Sequence, residues 1–305
     1  MWEIEFAKRW WHRYVFVFRV AAGARMMIQQ DRSMLRTPNP AVLNTQLTVL
    51  LKDLDAHAVL LGGTGFPVSS RAAKLSDSLF LSNASTKDDF IKICKGGALK
   101  SQELLNREYG FAIKSTELKL GTAHYVFFFA APFRYPETNC GLLFSTTLEK
   151  TVAGAVATPF DSGSLDGVCQ WRDKKLSMLE FLERHEMPAP GHRSYLKRRM
   201  EVLFERPEDY VDGVDPTRPC CIGLTGGDQR RWTHEVRIPD QVELMGGHLE
   251  AVFISDAAAK ESTIKSFLEK CEVESVQYFT FPSAGRDEYD RMHQLCLDYI
   301  EHTIY

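Results

Sequence analysis

The chain lacks most of the features that assign a protein quickly. Its seven cysteines, Cys94, Cys140, Cys169, Cys220, Cys221, Cys271 and Cys296, contain no CxxC pair, and two of them are direct neighbours. Neither zinc-ligand spacing nor a paired disulfide framework can be built from that set. This argues against a metal centre and implies buried thiols in a reducing, cytoplasmic setting. No apolar run is long enough to span a bilayer; the longest candidate, in "FAKRWWHRYVFVFRVAAGARMM", is short and interrupted by charge. That segment also lacks the small-residue cleavage site of a secretory signal. Charge of one sign does not dominate: 37 Lys and Arg face 40 Asp and Glu, for a net charge of −3. No global field draws the chain to nucleic acid or membrane, so any nucleic-acid contact must be a local patch. Repeats and low-complexity tracts are absent.

Two enzyme signatures fail as well. "HAVLLGGTGFPVSS", residues 57–70, suggests a dinucleotide turn through Gly62, Gly63 and Gly65. The third position of a GxxGxxG frame is Val68, and Pro67 restricts the residues where the helix should begin. The "GGTGF" string resembles the extended short-chain dehydrogenases, but the nearest match to their Tyr-x-x-x-Lys, "YLKRR", ends in Arg199. A nucleotide-dependent oxidoreductase is therefore the weakest of three functional readings. In "DSGSLDG" the residue centred between Gly163 and Gly167 is Leu165, so a serine nucleophile elbow is not met. His192 and His234 are conceivable bases, yet nothing ties them to Ser164.

What is present is an ordinary globular composition, 44% hydrophobic and 25% charged over 305 residues. Residues 1–35 read as an N-terminal arm. It can be a membrane-surface or partner-binding arm, a core strand "YVFVFRV" flanked by helix, or the product of a start assigned too early, with Met26, Met27 or Met34 as the real one. Residues 36–305 read as a single domain. "NPAVLNTQLTVLLKDLD" has helical apolar spacing, with Asn39 as cap and Pro40 at the first position. "HAVLL" is a short buried strand or the tail of that helix. "SLFLS" reads as a strand, and "STKDDFIKICKGGAL" as a helix capped by Ser85 or Thr86 and stopped at Gly96 or Gly97. "AHYVFFFAAPFRYPE" is an aromatic central strand running into a loop. "VATPFDSGSLDG" and residues 206–231 read as loop, and "HRSYLKRRM" as a basic helix face. Its Arg193, Lys197, Arg198 and Arg199 form the best local patch for phosphate contact. Strands and helices mix without steady alternation, which favours α+β over a doubly wound sheet.

Three segments, taken in order, resemble the ADP-ribosyltransferases, and within them the DarT-like enzymes that modify DNA bases. "LSNASTKDDFIKICKGGALKS" is similar to the family's opening strand, helix and turn, with Asn83 and Ser85 at the positions of its histidine and threonine. "HYVFFFAAPFRYPETNCGLLF" resembles its aromatic strand and Pro-Arg loop. "THEVRIPDQVELMGGHLEAVFISDAAAKESTIKSFLEKC" resembles the strand bearing the catalytic glutamate, then an acidic-proline turn, a strand and a helix. The match covers about residues 78–282, with a helical insert at about 147–230. It implies a split β-sheet core, NAD as substrate and a transferase acting on a nucleic-acid base, in a toxin or anti-phage setting.

The resemblance also distributes roles. Glu235 would stabilise the oxocarbenium-like ribose and orient or deprotonate the acceptor. Asn83 and Ser85 would hold the ribose or the nicotinamide amide, and Tyr125 or Tyr135 would stack on the nicotinamide. Arg134 would hold the pyrophosphate as a planar fork. A purely structural reading of Glu235 pairs it with Arg231 or Arg237. Two positions depart from the family pattern: Asn83 replaces histidine, and Thr233 stands where many members have Gln or Glu. The Asn83 departure and the acidic charge balance favour a second functional reading, the same fold with a decayed site acting through a protein partner.

Overall fold

The computed structural model describes residues 36–62, 70–171, 175–219, 222–225, 229–283 and 287–304. The N-terminal arm, Gly63 and Gly65 of the glycine cluster, and Cys220 and Cys221 lie outside the described residues. From Leu35 on, the chain forms one compact unit.

Two helices come first, α1 (Pro40–Leu60) and α2 (Ser70–Ser78), and lead into β1 (Leu81–Ser85). Next are α3 (Lys87–Gly96), β2 (Ala98–Lys100), α4 (Gln102–Tyr109), α5 (Ser115–Leu120), β3 (Tyr125–Phe129) and β4 (Cys140–Phe144). The middle of the chain holds α6 (Thr147–Thr151), β5 (Val156–Thr158), β6 (Gln170–Trp171), α7 (Met178–His185), β7 (Met187–Pro188), α8 (His192–Leu203), α9 (Glu208–Asp212) and β8 (Leu224–Thr225). Last come β9 (Glu235–Pro239), β10 (Gln241–Glu243), β11 (Leu249–Ser255), α10 (Asp256–Ala259), α11 (Ser262–Val273), β12 (Gln277–Phe281) and α12 (Glu288–Ile304). No helix among the described residues is long and apolar enough to cross a membrane.

Local chemistry explains the boundaries. Asn39 accepts from the Ala41 N–H at 2.9 Å, with Pro40 opening α1. Thr86 caps α3, Asp88 and Asp89 sit in its positive first turn, and Gly97 closes it at φ +69°. "HAVLL" is helix tail and not a strand: no turn residue separates it from the helix before it, and Val59 and Leu60 are exposed. Gly62 ends that helix at φ +88°. A dinucleotide turn comes after a strand, so Gly62 has the wrong context for one.

Among the described residues the main sheet has eight strands in the order β12-β11-β4-β1-β3-β9-β5-β7. All neighbouring pairs are antiparallel except β11 and β12, which α10 and α11 connect. The class is thus α+β, a mostly antiparallel sheet with flanking helices. The expected insert does not stay outside this core. Its β5 pairs with β9, and its β7 pairs with β5, so it extends the sheet. The expected loops carry structure as well. Tyr210 of α9 is fully buried; its hydroxyl donates to Ala130 O and accepts from the His234 N–H, which clips the ends of β3 and β9 together.

The core contains Phe90, Phe128, Phe133, Phe144, Phe253 and Trp232, all essentially without exposure. Phe133 lies over the backbone of Gly141 in β4 and edge-on to Phe253. A Cβ at Gly141 would overlap that ring. Gly141→Ala is therefore expected to cost about 1–3 kcal/mol, read as a lower midpoint in chemical denaturation. An unchanged midpoint would show that the ring can move aside freely.

Candidate active site

The sheet opens between β1 and β3. These strands share one register pair, Ser82 with Phe129, whereas β1–β4 and β3–β9 each share five. Past the shared pair the backbone ladder stops, and the Asn83 Nδ2 donates to Phe127 O at 2.9 Å in its place. A cavity of about 600 Å³ lies at this opening. Asn83, Tyr125, Val126 and Phe127 form one wall, and residues of α3, β2 and α4 form the other. The size suits a nucleotide-scale ligand.

Register carries one row of side chains across the sheet: Ser82 opposite Phe129, Phe129 opposite Glu235, Glu235 opposite Thr158. Opposed residues share a face. Glu235 is 2% exposed and held by Ser162, whose hydroxyl donates to Oε1 at 2.6 Å and whose N–H donates to Oε2 at 3.2 Å. Beside it the Tyr135 hydroxyl donates to Asp161 Oδ2 at 2.9 Å, and the Tyr135 ring leans on Phe129. Burial pushes the Glu235 carboxyl well above its ordinary value, and the Asp161 carboxyl raises it further. Burial raises Asp161 too, opposed by the Tyr135 hydroxyl and Arg230. A pair of buried carboxyls with raised proton affinity can hold or accept a proton.

Arg237 joins this carboxylate to the cavity wall. Alternation along β9 puts it on the face of Glu235. Its Nε lies 3.5 Å from Glu235 Oε1, its Nη2 donates to Glu186 Oε1 at 2.7 Å, and its guanidinium lies 5.5 Å from the centre of the Tyr125 ring. Arg36 also contacts Glu186.

The residues expected to share one cleft therefore divide. Asn83 and Tyr125 meet at the cavity. Tyr135 and Glu235 meet around Asp161 and Ser162. Ser85 ends β1, where its carbonyl accepts from the Asn139 N–H. Arg134 is 2% exposed and sits elsewhere: it donates to Tyr210 O and Val211 O, the free carbonyls at the end of α9, and lies over Trp232. It is a buried helix clamp and presents no fork to a pyrophosphate.

The basic patch on α8 is also corrected. Arg193 is buried against Glu149, at 2.8 Å, and Leu79 O, and Arg199 is fully buried against the carbonyls of Pro159 and Trp232. Arg198 pairs with Asp55 at 2.6 Å, and Lys197 is half-buried. Arg199 shares the stripe Leu196, Met200, Leu203 at helical spacing, so the periodicity already pointed it inward. His192 and His234 lie in the same buried network, His192 on Glu149, whose carboxyl is held down at about 2 by His192 and Arg193. Ser164 donates to Asp161 O and touches neither histidine. Among the described residues no group of His, Cys, Asp and Glu is placed to hold a metal ion. The described cysteines are free thiols, all buried except the half-buried Cys94.

Sequence reasoning missed Asp161, Ser162, Glu186 and the bridging role of Arg237. The Glu-x-Arg spacing in "EVRIP" was the available signal for Arg237; nothing local pairs Asp161 with a strand 73 or more residues away.

No protein-family model and no curated protein matches the chain. Among solved structures it is similar to the DarT of Thermus sp. 2.9 in complex with ADP-ribosylated single-stranded DNA. The TM-score is 0.36 and the identity 10%, over 69% of this chain and 96% of that one. A likeness that remote assigns neither family nor activity.

The raised Glu235 carboxyl has a consequence for stability. An acid whose folded value lies above 4.5 binds more protons folded than unfolded, so its contribution falls as pH rises past 4.5. Glu235→Gln removes that loss. The variant is expected to gain stability relative to the parent as pH rises from 5 to 8, measured by denaturant titration at each pH. A difference that stays flat with pH would mean Glu235 is ionised in the fold.

Proposed function

We propose that the chain is an NAD-dependent ADP-ribosyltransferase with Glu235 as its catalytic carboxylate. One observation carries the reading: a cavity of nucleotide size opens at the break in the sheet, and its Tyr125 wall touches Arg237, which pairs with Glu235. The order of elements around it, from β1 and α3 to the strand bearing Glu235, agrees with the family resemblance of the sequence. In this reading Tyr125 stacks on the nicotinamide and Asn83 faces the ribose or the amide. The nicotinamide–ribose bond breaks, its electron pair leaves with nicotinamide, and positive charge develops at C1′ and the ring oxygen. The ionised form of Glu235, which builds up as pH rises, stabilises that charge and takes the proton the acceptor loses as it bonds to C1′. Tyr135 and Asp161 keep the carboxylate in place. Ser85 does not line the cavity, so in this reading it has no contact with the ribose.

The acceptor in this reading is a nucleic-acid base and the setting a toxin or defence system, as the resemblance implies. The contact surface for the acceptor would have to be other than α8, since Arg193 and Arg199 are internal.

A second reading has its own support. Ser162 occupies both oxygens of Glu235, and the carboxyl is almost sealed from solvent. The same fold with an idle carboxylate would act through a protein partner.

Incubation with NAD, with and without single-stranded oligonucleotides, separates the two. Release of nicotinamide and a mass gain on the oligonucleotide are expected from the parent. Glu235→Ala should lower the rate by about 10²–10³ while the circular dichroism spectrum is kept. Equal rates in parent and variant would sink the assignment of Glu235. A parent that releases no nicotinamide supports the binding module.

A further inference from the structure

The outer rim of the cavity carries two exposed aromatic rings. Tyr109 and Phe111 both line the cavity, yet they are 58% and 44% exposed. Their ring centres are 5.7 Å apart, so the two rings form one apolar step. Gly110, at φ +72°, turns the chain between them at the end of α4. The step is held from behind: Asn106 donates to Phe111 O at 2.7 Å, and Gln102 accepts from the Lys114 N–H at 2.8 Å. Each ring carries a cation. Lys92 lies 5.5 Å from the Phe111 centre and Lys100 lies 5.7 Å from the Tyr109 centre. Both lysines line the cavity too, each paired to a neighbouring carboxylate, Asp89 and Glu108.

Leaving two aromatic rings in water forgoes burial that the fold could have used. A planar ligand that covers them recovers it, and Lys92 and Lys100, on exposed pairs with Asp89 and Glu108, are placed to turn to phosphate oxygens beside it. The cavity is a half-open cleft of about 600 Å³, which fits one nucleotide unit or a dinucleotide. A single strand would need a basic track leading away from the rim, and the arginines that sequence reading offered for one are buried or paired.

We propose that the Tyr109–Phe111 step is the seat of the adenosine diphosphate half of a free dinucleotide, with the adenine ring on the two aromatic side chains and its phosphates against Lys92 and Lys100. The proposal rests on the cavity being the NAD site, and it assigns the two ends. Tyr125 and Asn83 take the reacting half, and the exposed rim takes the half that does not react. Binding of the remote half then positions the reacting one.

Calorimetric titration of ADP, nicotinamide mononucleotide and oligo-dT into the full chain tests it, with Phe111→Ala, Tyr109→Ala and a Lys92→Ala/Lys100→Ala pair. The mutated side chains are exposed or on the rim, and a melting curve of each variant shows that the fold is kept. ADP is expected to bind the parent with an affinity that falls as salt rises. Each aromatic variant should weaken ADP about tenfold and leave nicotinamide mononucleotide unchanged. ADP binding that is equal in parent and Phe111→Ala overturns the proposal, as does a parent that binds oligo-dT and no ADP. The outcome is separable from the transferase reading. ADP lost in the variants with no NAD turnover in the parent keeps the seat and removes the enzyme. NAD turnover with ADP indifferent to the rim does the reverse.

Discussion

Between β1 and β3 the sheet is joined by a single register pair, and the rest of the site depends on that break. A continuous ladder there would bring the strands to the usual spacing of about 4.8 Å and leave no room between them. Stopping it after Ser82 and Phe129 frees the far part of β3, and Asn83 satisfies the carbonyl that the missing rung would leave open. On its other side β3 is fixed to β9 by five register pairs. The half of the sheet that carries Glu235 and Arg237 is thus rigidly tied to the strand that lines the cavity. One loose seam beside one firm seam produces a cleft with a defined wall.

The firm half is secured by buried charge. Glu186 binds Arg237, and Glu149 binds His192 and Arg193. Buried ion pairs contribute little net stability, because desolvation offsets most of the attraction. Their partners, however, tolerate few alternatives: an unpaired member would be a bare charge in the core. Glu186, Asp161 and Ser162 all come from the segment expected as an insert. That segment therefore belongs to the site, since it supplies the groups that face Glu235 and Arg237.

Much of the fold could be read from local chemistry. The caps at Asn39, Thr86 and Ser101 and the glycines at 97 and 110 stand where the helices begin and end. The aromatic strand, the strand bearing Glu235 and the α+β class were legible for the same reason: each depends on a few consecutive residues. The failures share a cause. "VATPFDSGSLDG" looked like loop because a three-residue strand has too few positions to show alternation. Arg134 and Arg193 looked like surface cations because sequence shows a charge and not the carbonyls that accept from it. Tyr125 and Glu235 were both found, but the link between them runs through Arg237, and the contacts of Glu235 with Ser162 span 73 residues. Pairings of that range leave no periodic trace.

The position of Asn83 bears on the role proposed for it. Its Nδ2 serves the backbone of β3, donating to Phe127 O at the point where the ladder ends. An asparagine amide has two N–H donors and a carbonyl, so it can close the ladder and still offer hydrogen-bonding capacity to a ligand. A neutral histidine has one N–H and one acceptor nitrogen, so with its N–H on the carbonyl it would have no donor left for a ligand. Asn83 thus has a structural task in this sheet that is compatible with the ligand contact proposed for it. The feature that separates an active site from an idle one lies on the other strand pair, where Ser162 holds Glu235. In the proposed reading, a substrate ribose would use that carboxylate only by taking over hydrogen bonds that Ser162 now makes. The short turn bearing Ser162 is tied through Asp161 to Tyr135 and to the backbone of Arg230. Displacing it therefore strains contacts on both sides, and the ease of that displacement sets whether the buried carboxylate is a catalyst or a brace.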